Sequence, residues 1–98
     1  MDRNTERLIW YILGATRGGP MRLSILKILK ENPSNAHKIS EILSVNYRTV
    51  EHHVKVLLEN GLIVQEGNGY GKVYFLSPRI EDEFDLIEEF LKRKGVVK

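Results

Sequence analysis

Apolar residues Leu8, Ile9, Ile12 and Leu13 recur at the spacing of one helical face, and Trp10 and Tyr11 widen that stripe. The pattern predicts a first helix that begins at Asn4 or Thr5, either of which can cap it. It stops at ATRGG, where Gly18 and Gly19 break the period. Pro20 then suits the first position of a second helix, because its missing N–H would have no partner there. In MRLSILKILKE, Met21, Leu23, Ile25, Leu26, Ile28 and Leu29 cover more than half the circumference, which predicts the central helix of the core. Asn32 precedes Pro33, is biased out of the helical region, and ends the element.

A short third helix is expected over about 36–43, capped by Ser34 or Asn35, with Ala36, Ile39, Ile42 and Leu43 turned inward. With Asn46 as the next cap, Val45 and Val50 take the spacing of a hydrophobic staple. The fourth helix runs to Asn60, where Gly61 supplies the left-handed end. Only Ser44, Val45 and Asn46 separate helices three and four, which is helix-turn-helix spacing over about 36–60. The period then changes. LIVQEG and KVYFLS flank GNGYG, whose glycines suit a turn with positive φ, and predict an antiparallel hairpin over about 62–77. A last helix over about 80–94 begins with Glu81, Asp82, Glu83 and Asp85 and ends with Lys92, Arg93 and Lys94, the charge order a helix dipole favours. The tail GVVK is expected to fray. The fold class is therefore mainly α with a small β hairpin (α+β), and 98 residues make one domain with a single modest core.

On the fourth helix Val50, Val54, Leu57 and Leu58 define a packed face, while the capped start and the opposite face present Asn46, Tyr47, Arg48, Thr49, Glu51, His52 and Lys55. Arg can span two major-groove acceptors of guanine, Glu can accept from the cytosine amino group, and Tyr, Thr and His can bond phosphate or base edges. The plainer alternative is a solvated face on which Glu51 and Lys55 pair at i, i+4. A helix-turn-helix followed directly by a short hairpin is a winged helix, whose wing tip lies on the DNA backbone or in the minor groove. Asn68, Tyr70 and Lys72 are the tip residues able to reach DNA, although one cation there also fits a merely structural hairpin.

The stretch AHKISEILSVNYRTVEHHVKVLLENGLI resembles the helix-turn-helix of ArsR-like winged-helix transcriptional regulators, and LGATRGGPMRLSILKIL is similar to their archaeal branch. The resemblance covers roughly residues 8 to 76 and implies a dimeric DNA-binding transcription factor, with Tyr47, Arg48, Thr49, Glu51 and His52 on DNA-facing positions. Metal-sensing members use cysteine-rich ligand sets, and this chain has no cysteine, so no metal is expected. Histidine ligation gives no substitute. His52 and His53 point about 100° apart on a helix, and His37 with Glu41 makes only two ligands. His53 is expected to pack partly against helix three and His52 to face solvent or DNA.

Helix one and the last helix carry more apolar surface than a small core can cover. Leu8, Ile9, Ile12, Phe84, Ile87, Phe90 and Leu91 are therefore expected at a homodimer interface. A symmetric dimer predicts a palindromic double-stranded DNA operator. With 42% hydrophobic and 29% charged residues the composition is globular. A net charge of +2 only mildly favours an anionic partner. The longest apolar run, LIWYIL, is far below a membrane span and no signal peptide is visible, which predicts a cytoplasmic protein. No Gly-rich phosphate loop, nucleophile motif or convincing carboxylate pair points to an enzyme, and no cofactor is expected. A winged-helix module for protein–protein contact is the alternative function.

Overall fold

A computed structural model of the chain describes residues 1–97, with Tyr70 described through its backbone alone. The first helix, α1 (Arg3–Ile9), is capped by Asp2, whose carboxylate accepts from the Thr5 amide at 2.7 Å, and not by Asn4 or Thr5. That bond holds the Asp2 carboxyl below the usual carboxylate range. The helix then widens into a π turn over Trp10–Ala15 that periodicity did not announce.

Helix α2 (Gly19–Glu31) starts one residue before Pro20 and forms the centre of the core, with Leu23, Ile25, Leu26 and Leu29 buried. The preceding glycine pair does more than break a helix. A Cβ on Gly19 would stand 2.5 Å from the Leu13 carbonyl oxygen, so glycine there lets α2 pack directly on the π turn. Asn32 is extended and ends α2.

Helices α3 (Ala36–Leu43) and α4 (Tyr47–Glu59) are each capped by an asparagine: Asn35 accepts from the Lys38 amide at 2.8 Å and Asn46 from the Arg48 amide at 2.7 Å. Val45 is half-buried against the core and Val50 is fully buried, as the staple spacing requires. Ile42 departs from expectation. It is 52% exposed, because it lies at the edge of a stripe centred on Ala36, Ile39 and Leu43 and is left partly open there by the described residues.

Strands β1 (Ile63–Glu66) and β2 (Val73–Leu76) pair antiparallel, with Ile63 opposite Leu76 and Glu66 opposite Val73. Ser34 adds a rung on the outer side of β2, exchanging both backbone bonds with Tyr74 at 2.9 and 3.3 Å. Helix α5 (Pro78–Arg93) buries Ile80, Phe84, Ile87, Phe90 and Leu91. Gly95 and Val96 of the tail do not fray as expected: the Val96 amide bonds the Leu91 carbonyl and the Gly95 amide bonds that of Lys92, a Schellman closure with Gly95 at φ +80°, while Lys98 lies outside the described residues. Arg79 ties the start of α5 to the first helix, reaching Asp2 and Thr5 while pairing with Glu83 one turn along. Five helices and one hairpin thus make a winged helix-turn-helix. Among the described residues no helix is long and apolar enough to cross a membrane.

Six of the seven expected interface residues are a correction. Ile9, Ile12, Phe84, Ile87, Phe90 and Leu91 are no more than 6% exposed within one chain, and Leu8 is half-buried, because α1, the π turn and α5 close over the chain's own core. The apolar surface left open at this end is Trp10, Tyr11 and Leu86.

Candidate nucleic-acid interface

Helix α4 is strongly two-sided. Val50, Val54 and Leu57 are buried and Leu58 half-buried on one face; Arg48, Thr49, Glu51, His52 and Lys55 are exposed on the other. The tight turn through Ser44–Asn46 brings this outward face up beside the hairpin. Arg48, Glu51, His52 and Lys55 line one groove together with Gln65 and Lys72. The groove holds three cations, Arg48, Lys55 and Lys72, against the single carboxylate of Glu51. Among the described residues no ion pair joins Glu51 to Lys55, so the self-satisfied surface pair does not form and both heads are presented outward.

Tyr74 forms the floor between helix and hairpin. It is 6% exposed, and burial, followed by the nearby Glu51 carboxylate, pushes its phenol up, which keeps it a neutral hydrogen-bonding group. Sequence reasoning passed over it as a strand residue; its period-two spacing from Leu76 in KVYFLS is the signal that places it on the same, inward face.

A second hollow adjoins the groove, lined by Asn35, His37, Tyr47, Gly69, Lys72 and Tyr74. His37 stacks on Tyr47 with ring centroids 4.3 Å apart, so a residue weighed only as a metal ligand joins the candidate surface. Lys72, like Tyr74, borders both hollows, and it is the hairpin cation of both. Asn68 is exposed and lines neither, Asn46 spends its carbonyl on the helix cap, and the side chain of Tyr70 lies outside the described residues. Gly67 and Gly69 take positive φ and Gly71 does not, so two of the three tip glycines are required by backbone conformation.

His53 is the residue whose surroundings differ most from expectation. It is buried, and its Nδ1 lies 3.2 Å from Nη1 of Arg22 on α2, a partner that periodicity did not suggest. Among the described residues no group of three or more His, Cys, Asp or Glu side chains is placed to hold a metal ion.

The family model described as bacterial regulatory protein, arsR family, matches residues 19–64. A regulator of the helix-turn-helix type from Methanocaldococcus jannaschii is 32% identical over 74 residues, covering 74% of this chain and 83% of its own. The chain belongs to the arsR family of regulatory proteins. Among solved structures, a transcriptional regulator homologue from Pyrococcus horikoshii superposes with a TM-score of 0.71 at 23% identity, covering 95% of this chain and 93% of that one. The homodimeric winged helix-turn-helix DNA-binding domain of a Mycobacterium bovis protein superposes with a TM-score of 0.69 at 17% identity, covering 96% and 88%. At these identities both establish the fold. The family match spans α2 through the start of β1 and so includes the α4 side of the groove, whereas Gln65, Lys72 and Tyr74 lie beyond it.

Proposed function

We propose that this arsR-family regulator binds double-stranded DNA in a sequence-specific manner as a homodimer and has no catalytic activity. The observation that carries the reading is the shared groove, in which recognition-helix and wing residues pool three cations against one carboxylate. Helix α4 enters the major groove by its first turns. Arg48 and Glu51 read base edges, and Asn46, Tyr47, Thr49, His52 and Lys55 contact bases or phosphates around them. The wing lays Asn68, Tyr70 and Lys72 on the backbone or minor groove, with Lys72 completing the cationic groove. The homodimeric state of the Mycobacterium domain supports a paired arrangement for this chain, through the exposed Trp10, Tyr11 and Leu86. Two copies then present recognition helices to successive major grooves, about 34 Å apart, and select a palindromic operator.

Titration against a pool of random duplexes at two salt concentrations, with sequencing of the bound fraction, tests this directly. A palindrome with half-sites about ten base pairs apart and a steep salt slope is expected. Absence of enrichment and of salt dependence would favour a winged helix used for protein contact.

A further inference from the structure

On the buried side of α4 lies Arg22, a residue 6% exposed, whose guanidinium has every nitrogen engaged. Its Nε donates to the Ile12 carbonyl of the π turn at 2.8 Å, its Nη2 donates to the Thr16 hydroxyl at 2.5 Å, and its Nη1 lies 3.2 Å from His53 Nδ1. None of these partners is a carboxylate, and among the described residues no ion pair includes Arg22. A guanidinium has donors only, so Nη1 must donate and Nδ1 must offer its lone pair. The contact thus requires the neutral His53 tautomer that carries its proton on Nε2. The chain makes room for this contact: a Cβ on Gly18 would stand 2.3 Å from Arg22 Nη1 and 2.8 Å from the His53 ring.

One buried cation thus joins three elements: the π turn through Ile12, the following linker through Thr16, and the recognition helix through His53. We propose that Arg22 is a positioning residue for DNA binding. It holds α4 to the N-terminal π turn through neutral His53, and a proton on His53 breaks that hold and weakens binding in acid. The inference rests on the DNA-binding reading above. A protonated His53 would lose its acceptor and set a second positive charge against Arg22 in a buried place. The groups acting on the His53 ring are Arg22 from α2 and His52 from α4 itself, and Tyr11 of the π turn acts on Arg22. No carboxylate is among them. Burial first, then Arg22 and His52, hold His53 below the ordinary histidine range, in keeping with the geometry.

Two measurements on the whole chain test the proposal. Long-range imidazole nitrogen–proton spectra without DNA should show His53 with a bare Nδ1, still neutral below about pH 6.5, and titrating at higher pH in Arg22→Met. Duplex titrations should show Arg22→Met weakened by about tenfold near pH 7.5, with Arg22→Lys recovering part of the loss. His53→Asn, which keeps an acceptor but cannot titrate, should bind within about threefold of wild type near pH 7.5 and lose about tenfold less than wild type near pH 5.5. A protonated Nδ1 at neutral pH, or identical pH profiles for wild type and His53→Asn, would overturn it. A wild type that bound no duplex, with the expected His53 spectrum, would overturn the DNA reading and the positioning role together and leave only the buried clamp.

Discussion

The ring of His37 stacks on that of Tyr47, with centroids 4.3 Å apart and planes 19° from parallel. His37 is the second residue of α3 and Tyr47 the first of α4, so the contact ties the two helices together at their N-terminal ends. In a double-mutant cycle with His37→Ala and Tyr47→Ala, DNA affinity should show a coupling of about 0.5–1.5 kcal/mol. Strictly additive losses would mean that the rings contact DNA independently and the stack orients nothing.

The turn between the same helices carries a conformational cost. The Val45 amide bonds the Ser40 carbonyl and the Ser44 amide that of Glu41, the closure that α4 and α5 make with Gly61 and Gly95, but here the left-handed residue is Ser44, at φ 54°. A Cβ in that region costs about 1–2 kcal/mol, of which the greater freedom of an unfolded glycine returns part. Ser44→Gly should therefore stabilise the fold by about 0.5–1 kcal/mol in urea denaturation. Because Ser44 is exposed, the loss of its side chain offsets little of this gain. An unchanged or lowered midpoint would show that the turn is not strained.

Acid should destabilise the free protein through His53. Its folded pKa is lowered, so between that value and the ordinary one near 6.5 the unfolded chain holds more protons than the folded one. Stability contributed by neutral His53 is thus fully present above about pH 6.5 and is lost as pH falls through the folded value. Thermal midpoints of wild type should drop across this window more steeply than those of His53→Asn, and parallel curves would place the acid sensitivity elsewhere.

Arg48 and Lys72 line one groove from opposite elements and should fail differently. Arg48→Ala removes a planar fork suited to guanine and is expected to cost about 1–3 kcal/mol and relax preference at one base pair. Lys72→Ala removes a wing cation and should weaken binding to all sequences alike, with a salt slope lower by about one. Equal losses on every sequence for both variants would contradict this division of roles.

Much of this architecture was legible in the chain because its faces are sharply segregated and its ends are punctuated. The Asn46 cap, the Val45–Val50 staple and Gly61 fix α4 to within a residue, and the outward residues follow from the inward ones. What escaped depends on distance or on burial of a polar head. Arg22 sits on a helix rich in lysine and reads as one more solvated cation, and its partner His53 is 31 positions away. The Ser34–Tyr74 rung lies in a segment that Pro33 marks only as a helix end. Hydrophobicity identified α1 and α5 as apolar but could not divide core from surface, since a residue that covers its own chain and one that covers a partner carry the same signal.

That division decides the last prediction. Trp10, Tyr11 and Leu86 are 38%, 63% and 48% exposed, while Ile9, Ile12, Ile87 and Phe90 beside them are buried. Trp10 shares a surface hollow with Phe90 of α5 and with Lys94, which caps that helix, so the π turn and the last helix contribute to one face. Polar replacements at Phe84 or Ile87 would break the core and reveal nothing about association. Tyr11→Glu with Leu86→Glu alters exposed positions, where each change costs within about 0.5 kcal/mol of folding stability, and places like charges at the proposed interface. Sedimentation should show wild type as a dimer and the double variant as a folded monomer with an unchanged circular dichroism spectrum. On a palindromic duplex that monomer should lose far more affinity than on a half-site, because only the pair gains from linking two contacts. A wild type that is already monomeric at micromolar concentration would remove the physical basis for a palindromic operator.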